Sequence, residues 1–435
     1  MINKIRTFIQ KIVTPQMGLV VLSIYYFTLL LDMTTLSYSF AKAATLCKLL
    51  RYVCYVYFLF VICRKLRTLD LKNYINKIKN FDKKQYFVAG AVLLALFSIV
   101  MNLLLTKNKA WVFLLFTLIY ASCFDFEDVL NTIFSAQFIS LILITTLSSF
   151  GLMHDYVNMR ADGTMRHSLG FGYPTYVSQF VLFMILYYSY KKNFKISPEK
   201  LGLYQLLIVF SYFLTDSRTE MLISECILIG IFMNSVGILD KFKNVVEFFK
   251  KAYATCFPLF PIGSYILVML YGFIFNTMNV NGIIFKIAQK FNHIFSNRLY
   301  QTFYDFKRYG LSLFGSNIDL VGYFLTKENE GTIIRSNFID NEYMRILFES
   351  GWIFFIAFFA IISIVIWHLY KTKKDGLLFI SFVITTSSLI NPRLFTITVS
   401  VISFMIIPVL NDLLFNQGGH YKIKSISNKD HSRTQ

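Results

Sequence analysis

The chain has 435 residues, of which 56% are hydrophobic and only 15% are charged. That balance, with a mean hydropathy of +0.55, excludes an ordinary soluble domain and points to helices of about 20 apolar residues that cross a bilayer. The formal charge of +19 does not imply a nucleic-acid partner, because Lys and Arg lie between apolar runs instead of along one face.

Taken in chain order, Lys4, Arg6 and Lys11 precede an apolar stretch from Met17 to Leu31. No small-residue cleavage site follows it, so an uncleaved first span is expected. Twelve spans are predicted in all, near 15–33, 44–63, 86–105, 110–124, 130–152, 173–190, 201–215, 218–238, 252–275, 352–370, 377–390 and 396–414. Asn391-Pro392-Arg393 is the natural turn between the last two. The expected fold is all-α, a single polytopic membrane domain over 1–435 with one long connection at 276–351 and a tail at 416–435. Lys and Arg crowd the segments 64–85, 191–195, 241–251 and 371–374. Short basic connections stay in the cytoplasm. Twelve spans put all of these segments and both termini on that side, and leave 276–351 facing outward. The segment 110–124 is short for a span, but removing it would turn every later basic connection outward. It is therefore kept, as a tilted or locally thinned crossing.

The six cysteines, Cys47, Cys54, Cys63, Cys123, Cys226 and Cys256, form no CxxC pair and read as buried small hydrophobes, with neither a disulfide framework nor a zinc site. Asp125-Phe126-Glu127-Asp128 has the look of a metal-binding carboxylate pair. It falls on the cytoplasmic side, where a loop and helix start is the plainer reading. Lys48 and Arg51 share one face of the second span and Glu225 sits in the eighth. Such groups pair or line a polar pocket, and Asp32 is the nearest partner for the first two.

Four outward elements carry the residues suited to chemistry. The first runs from His154 to Tyr173 and holds Arg160, Arg166 and His167, then Gly170-Phe171-Gly172-Tyr173-Pro174. The second is Thr215-Asp216-Ser217-Arg218-Thr219. The third is Ser296-Asn297-Arg298-Leu299. The fourth is Ile339-Asp340-Asn341-Glu342-Tyr343, ahead of Gly351. Outward arginines run against the positive-inside bias. Their planar, permanently charged forks suit phosphate oxygens, so Arg160, Arg166, Arg218 and Arg298 are expected to meet an anionic headgroup such as a diphosphate. Gly170 and Gly172 suit a turn that brings backbone N–H groups to a ligand. Asp340, Glu342 and His167 are the available general bases, with helix capping the structural role open to Asp340. Tyr300, Tyr304 and Tyr323 offer aromatic faces to sugar rings.

In this order and topology the four elements resemble the O-antigen and capsular polysaccharide polymerases of the Wzy type, a group related to the O-antigen ligases. The resemblance covers about residues 86–390. It departs from the family's usual pattern at Tyr173-Pro174-Thr175, where His-Pro-Asn is common. It implies a glycosyltransferase that joins undecaprenyl-diphosphate-linked oligosaccharide repeat units at the outer face of the plasma membrane. It implies no metal or nucleotide cofactor. The expected partners are the lipid-linked oligosaccharide, membrane lipid and other polysaccharide-assembly proteins. A lipid-linked oligosaccharide flippase and a ligase-type transferase are the competing expectations. The two halves of the chain look unlike and the charge clusters at the outer surface, which disfavours the first.

Overall fold

The computed structural model describes residues 14–36, 40–159, 163–294, 297–318, 339–392 and 400–415. The described chain is all-helical but for one small hairpin. Its helices are α1 (Pro15–Leu31), α2 (Ala41–Arg67), α3 (Leu71–Lys79), α4 (Lys83–Thr106), α5 (Ala110–Ala121) and α6 (Phe126–Ser149), followed by the strands β1 (Val157–Met159) and β2 (Met165–His167). Then come α7 (Thr175–Lys191), α8 (Pro198–Thr215), α9 (Arg218–Ser235), α10 (Ile238–Lys241), α11 (Lys243–Cys256), α12 (Leu259–Thr277), α13 (Ile283–Ile294) and α14 (Arg298–Tyr309). The last three are α15 (Glu342–Lys371), α16 (Asp375–Ser387) and α17 (Val401–Phe415).

The apolar segments read from the sequence are helical where described, but the expected span 252–275 runs from the end of α11 across a break at Phe257-Pro258 into α12. Five helices (α2, α4, α6, α12 and α15) are long and apolar enough to cross a membrane, while α1, α5, α16 and α17 are shorter apolar helices. Local chemistry sets several starts. Thr14 caps α1, whose first residue is Pro15. Asp82 and Gln85 form a reciprocal capping box on α4. Asp125 caps α6 by accepting from Glu127 N–H. Each satisfies backbone donors that have no partner inside the helix. The Asp125 sequence is therefore a helix start, and Glu127 accepts a hydrogen bond from Tyr190 O–H at 2.7 Å.

Helix α15 is the hub, packing on α4, α11, α12, α14, α16 and α17. It breaks at Gly351, whose φ of 82° and ψ of 172° are not helical. The segment after α14 enters this break. Trp352 N–H donates to Ser312 O at 3.0 Å, Ile353 N–H to Leu313 O at 3.2 Å, and Ser316 N–H to Phe348 O at 2.8 Å. Asn102 of α4 ties the junction by donating from Nδ2 to Phe314 O and Glu349 O, each at 2.7 Å. Residues 342–350 are thereby set off from the rest of α15 and held at one end of the bundle.

Three cysteines depart from expectation. Cys47 and Cys54 are buried, but Cys63, Cys226 and Cys256 are exposed on the helical surface.

Candidate functional site

The connection from α6 to α7 is organised by Asp155. Its Oδ1 accepts from Leu169 N–H at 2.7 Å and from Ser168 Oγ at 3.3 Å, and its Oδ2 lies 2.7 Å from His167 Nδ1. The β1–β2 hairpin pairs Asn158 with Arg166. Its far end docks on the end of α1: Thr35 N–H donates to Gly170 O at 2.9 Å and Gly172 N–H to Met33 O at 2.8 Å. This corrects the expectation for the glycines. Gly170 has a φ of 83°, and a Cβ there would stand 3.2 Å from Ile144 O, so the position needs glycine for packing and conformation. The Gly172 N–H is committed to Met33 and is not offered to a ligand.

Arg166 is buried and its Nε donates to Thr215 O at 2.8 Å. Its guanidinium lies over the Tyr173 ring, 5.5 Å from the centroid. Among the described residues these are the side-chain contacts given for it, and neither engages a carboxylate. The turn it grips is the α8–α9 connection. Thr215 Oγ1 lies 2.8 Å from Ser178 Oγ and 2.9 Å from Ser217 Oγ. Asp216 follows in the left-handed region, with a φ of 44°, a conformation Asp tolerates better than most residues. Its carboxylate accepts from Arg218 Nε at 3.3 Å, and the Arg218 side chain remains 53% exposed. Arg166 and Arg218 are thus gathered on one turn.

Arg298 begins α14 and forms an ion pair with Asp340, Nε to Oδ2 at 2.8 Å. The approach to α14 is shaped by Asn292, which accepts from Tyr300 N–H at 3.1 Å and donates to Asn297 Oδ1 at 3.1 Å. The helix cap of α15 is Asn341, not Asp340: Asn341 Oδ1 accepts from Met344 N–H at 3.2 Å and its Nδ2 donates to Ser264 Oγ at 2.7 Å. Asp340 is left for Arg298. Glu342 is buried 3.7 Å from Arg345, which also donates to Glu349 at 3.0 Å. Asp305, one turn from the end of α14, is buried, and this pushes its carboxyl up to about 6; the negative Asp340 adds to the rise and Arg308 opposes it.

Contacts at the end of α16 join the two groups. Ser388 O accepts from Glu342 N–H at 3.1 Å, and Asn391 Nδ2 lies 3.4 Å from Glu220 Oε1, near the start of α9. The Arg166–Arg218 turn and the Arg298–Asp340 pair therefore lie at the same end of the bundle. The Arg51–Asp32 ion pair lies there too, because the end of α1 carries the docked glycine loop.

Other expected residues fall elsewhere. Lys48 is exposed, and Arg51 is committed to Asp32 instead of an anion pocket. Glu225 accepts from Gln205 Nε2 at 2.7 Å between α8 and α9. Tyr304 is exposed on α14. Arg160, Asp162, Ser296, Tyr323 and the tail at 416–435 lie outside the described residues. The sequence reading missed Asp155, Glu220, Asp305, Arg345 and Asn391. Only Arg345 carried a local signal, since Glu342, Arg345 and Glu349 stand at helical spacing.

The arrangement offers two arginine-bearing surfaces, each with a carboxylate that fixes a guanidinium, around buried hydroxyls and aromatic rings. It is suited to gripping a polyanion at the edge of an apolar bundle. Comparison with family models, with curated proteins and with solved structures finds no match.

Proposed function

We propose that this chain is a polysaccharide polymerase of the cell envelope. In this reading it extends a glycan by joining undecaprenyl-diphosphate-linked oligosaccharide units at the outer face of the plasma membrane. Twelve helices cross the bilayer, both termini are cytoplasmic and the 276–351 connection faces outward. The observation that carries the reading is Arg166, a buried cation stacked on Tyr173 with one described hydrogen bond, beside the Asp216–Arg218 turn.

The chemistry follows from charge. As the sugar–oxygen bond to the lipid breaks, negative charge accumulates on the departing diphosphate. Arg166 and Arg218 meet that charge with preorganised donors, an interaction that strengthens in the transition state. Arg298 supplies a third cation. A diphosphate that draws on Arg298 frees an oxygen of Asp340, which then serves as base for the acceptor hydroxyl. Glu342 is too buried for that role. His167 presents an accessible ring, but strand alternation turns it away from Arg166. Tyr304 offers an exposed ring to the glycan, and the lipid tail remains among the apolar helices.

The reading is tested by the envelope glycan profile, on a gel, of cells that lack the chain. A single repeat unit in place of long polymer is expected, because transport and early assembly stay intact. Loss of every surface unit, with lipid-linked units retained inside, would overturn it in favour of a flippase.

A further inference from the structure

Helix α13 has 12 residues and a length of about 18 Å, too short to cross a bilayer. One face is accounted for. Phe285 and Asn292 are buried, and Phe285 stacks on Phe275 of α12 with centroids 5.9 Å apart. The opposite face is apolar and open: Ile283 is 77% exposed, Ile287 63%, and Ile284 and the preceding Val280 are exposed as well. Helix α12, on which α13 packs, carries an exposed apolar stripe of its own, Ile262, Ile266, Leu270 and Phe273 at helical spacing. Lys286 and Lys290, both exposed, border the open face of α13 on one side, and Gln289 and His293 lie beyond them.

From this placement we propose that α13 is an interfacial helix. It lies flat in the outer leaflet, with Ile283, Ile284 and Ile287 below the headgroups and the Lys286 and Lys290 ammonium groups on lipid phosphates. The pattern is an apolar stripe rimmed by lysines, which bury their stems and lift their charge to the phosphate layer. The helix packs on α12, which is long and apolar enough to span the membrane and exposes apolar side chains of its own, and this favours lipid over a protein partner. Lysine is also depleted in protein interfaces relative to the rest of the surface. The inference concerns depth and does not rest on the polymerase chemistry. Its consequence is positional. Asn292 of α13 binds both Asn297 and the backbone of Tyr300, so a helix held at the headgroups holds the start of α14, and Arg298 with it, at that depth.

The test uses the full chain in vesicles of phosphatidylethanolamine and phosphatidylglycerol, with its native cysteines replaced by alanine. A spin label is placed through Ile287→Cys or, as a control, Gln289→Cys. Collision with dissolved oxygen, which concentrates in lipid, is compared with collision with a water-soluble nickel chelate. The expected result is an oxygen-to-nickel ratio several-fold higher at position 287 than at 289, with nickel access retained at 289. Equal nickel access at both positions would place the helix in water and overturn the proposal. A label at 287 shielded from both reagents would also overturn it, since protein would then cover the face.

Discussion

Replacing Gly351 with alanine should be among the most damaging single changes outside the charged residues. A φ of 82° with a ψ of 172° lies in a region essentially restricted to glycine, at a cost of about 1–3 kcal/mol for other residues. Space is lacking as well. A Cβ at Gly351 would stand 2.4 Å from both Gly315 N and Leu313 O. Relief of that clash requires the inserted segment to withdraw, which breaks the backbone bonds from Trp352, Ile353 and Ser316 at about 1 kcal/mol each. Together these give a loss of about 4–6 kcal/mol. In detergent this would lower the midpoint of thermal unfolding, followed by size-exclusion of the surviving fraction, on the order of 5–10 °C. Gly263→Ala is the control: nothing lies within 4 Å of a Cβ there, so it should be neutral or slightly stabilising in a helix. A Gly351→Ala midpoint within about 1 °C of the parent would refute the clamped-break account of α15.

The charged groups give three further predictions. Arg218→Ala should abolish polymer in the glycan profile while the protein still folds, with at most a modest fall in the unfolding midpoint from the weakened Asp216 contact; normal polymer would remove Arg218 from the site. Arg298→Ala should cost about 1–3 kcal/mol by removing the cation paired with Asp340. Adding Asp340→Ala should recover part of that loss, and a double-mutant cycle with no coupling would refute the pair. Asp305→Asn should stabilise the protein increasingly as pH rises. The buried carboxyl of Asp305 binds its proton up to about 6, whereas the unfolded chain releases it near the ordinary carboxylate value. The protonated acid is therefore harmless at low pH, and its cost, about 3 kcal/mol, accrues as pH rises from about 4 to about 6 and is constant above that. Midpoints of the two proteins measured across this range should diverge and then run parallel; parallel curves throughout would show that burial does not raise the Asp305 carboxyl.

Much of the fold was legible because apolar runs punctuated by Lys-rich segments leave few alternatives to helices in lipid. The start of α6 was legible at Asp125, whereas the Asp82–Gln85 capping box of α4 lay unremarked inside a basic connection. Gly351 was legible as the edge of a span but not as a break inside a helix, because the cause is the distant segment 311–316. The site divides in the same way. Arg166, Arg218, Arg298 and Asp340 stood out as charges in an unusual place. Asp216 was in view beside Arg218, but the bonds from Arg166 to Thr215 and from Asn391 to Glu220 arise only where separate segments meet. The Gly170–Gly172 pair misled for a related reason. Glycines that admit a ligand and glycines that admit a neighbouring helix look the same in sequence, and here the neighbour is the end of α1.

The most direct measurement is extension of a prenyl-diphosphate-linked oligosaccharide by the purified protein in vesicles, resolved on a gel. The account predicts a ladder that grows by whole repeat units with the parent protein and is absent with Arg166→Lys, which keeps the charge but loses the planar stack on Tyr173. An unextended substrate with folded parent protein, or a full ladder from the variant, would contradict it.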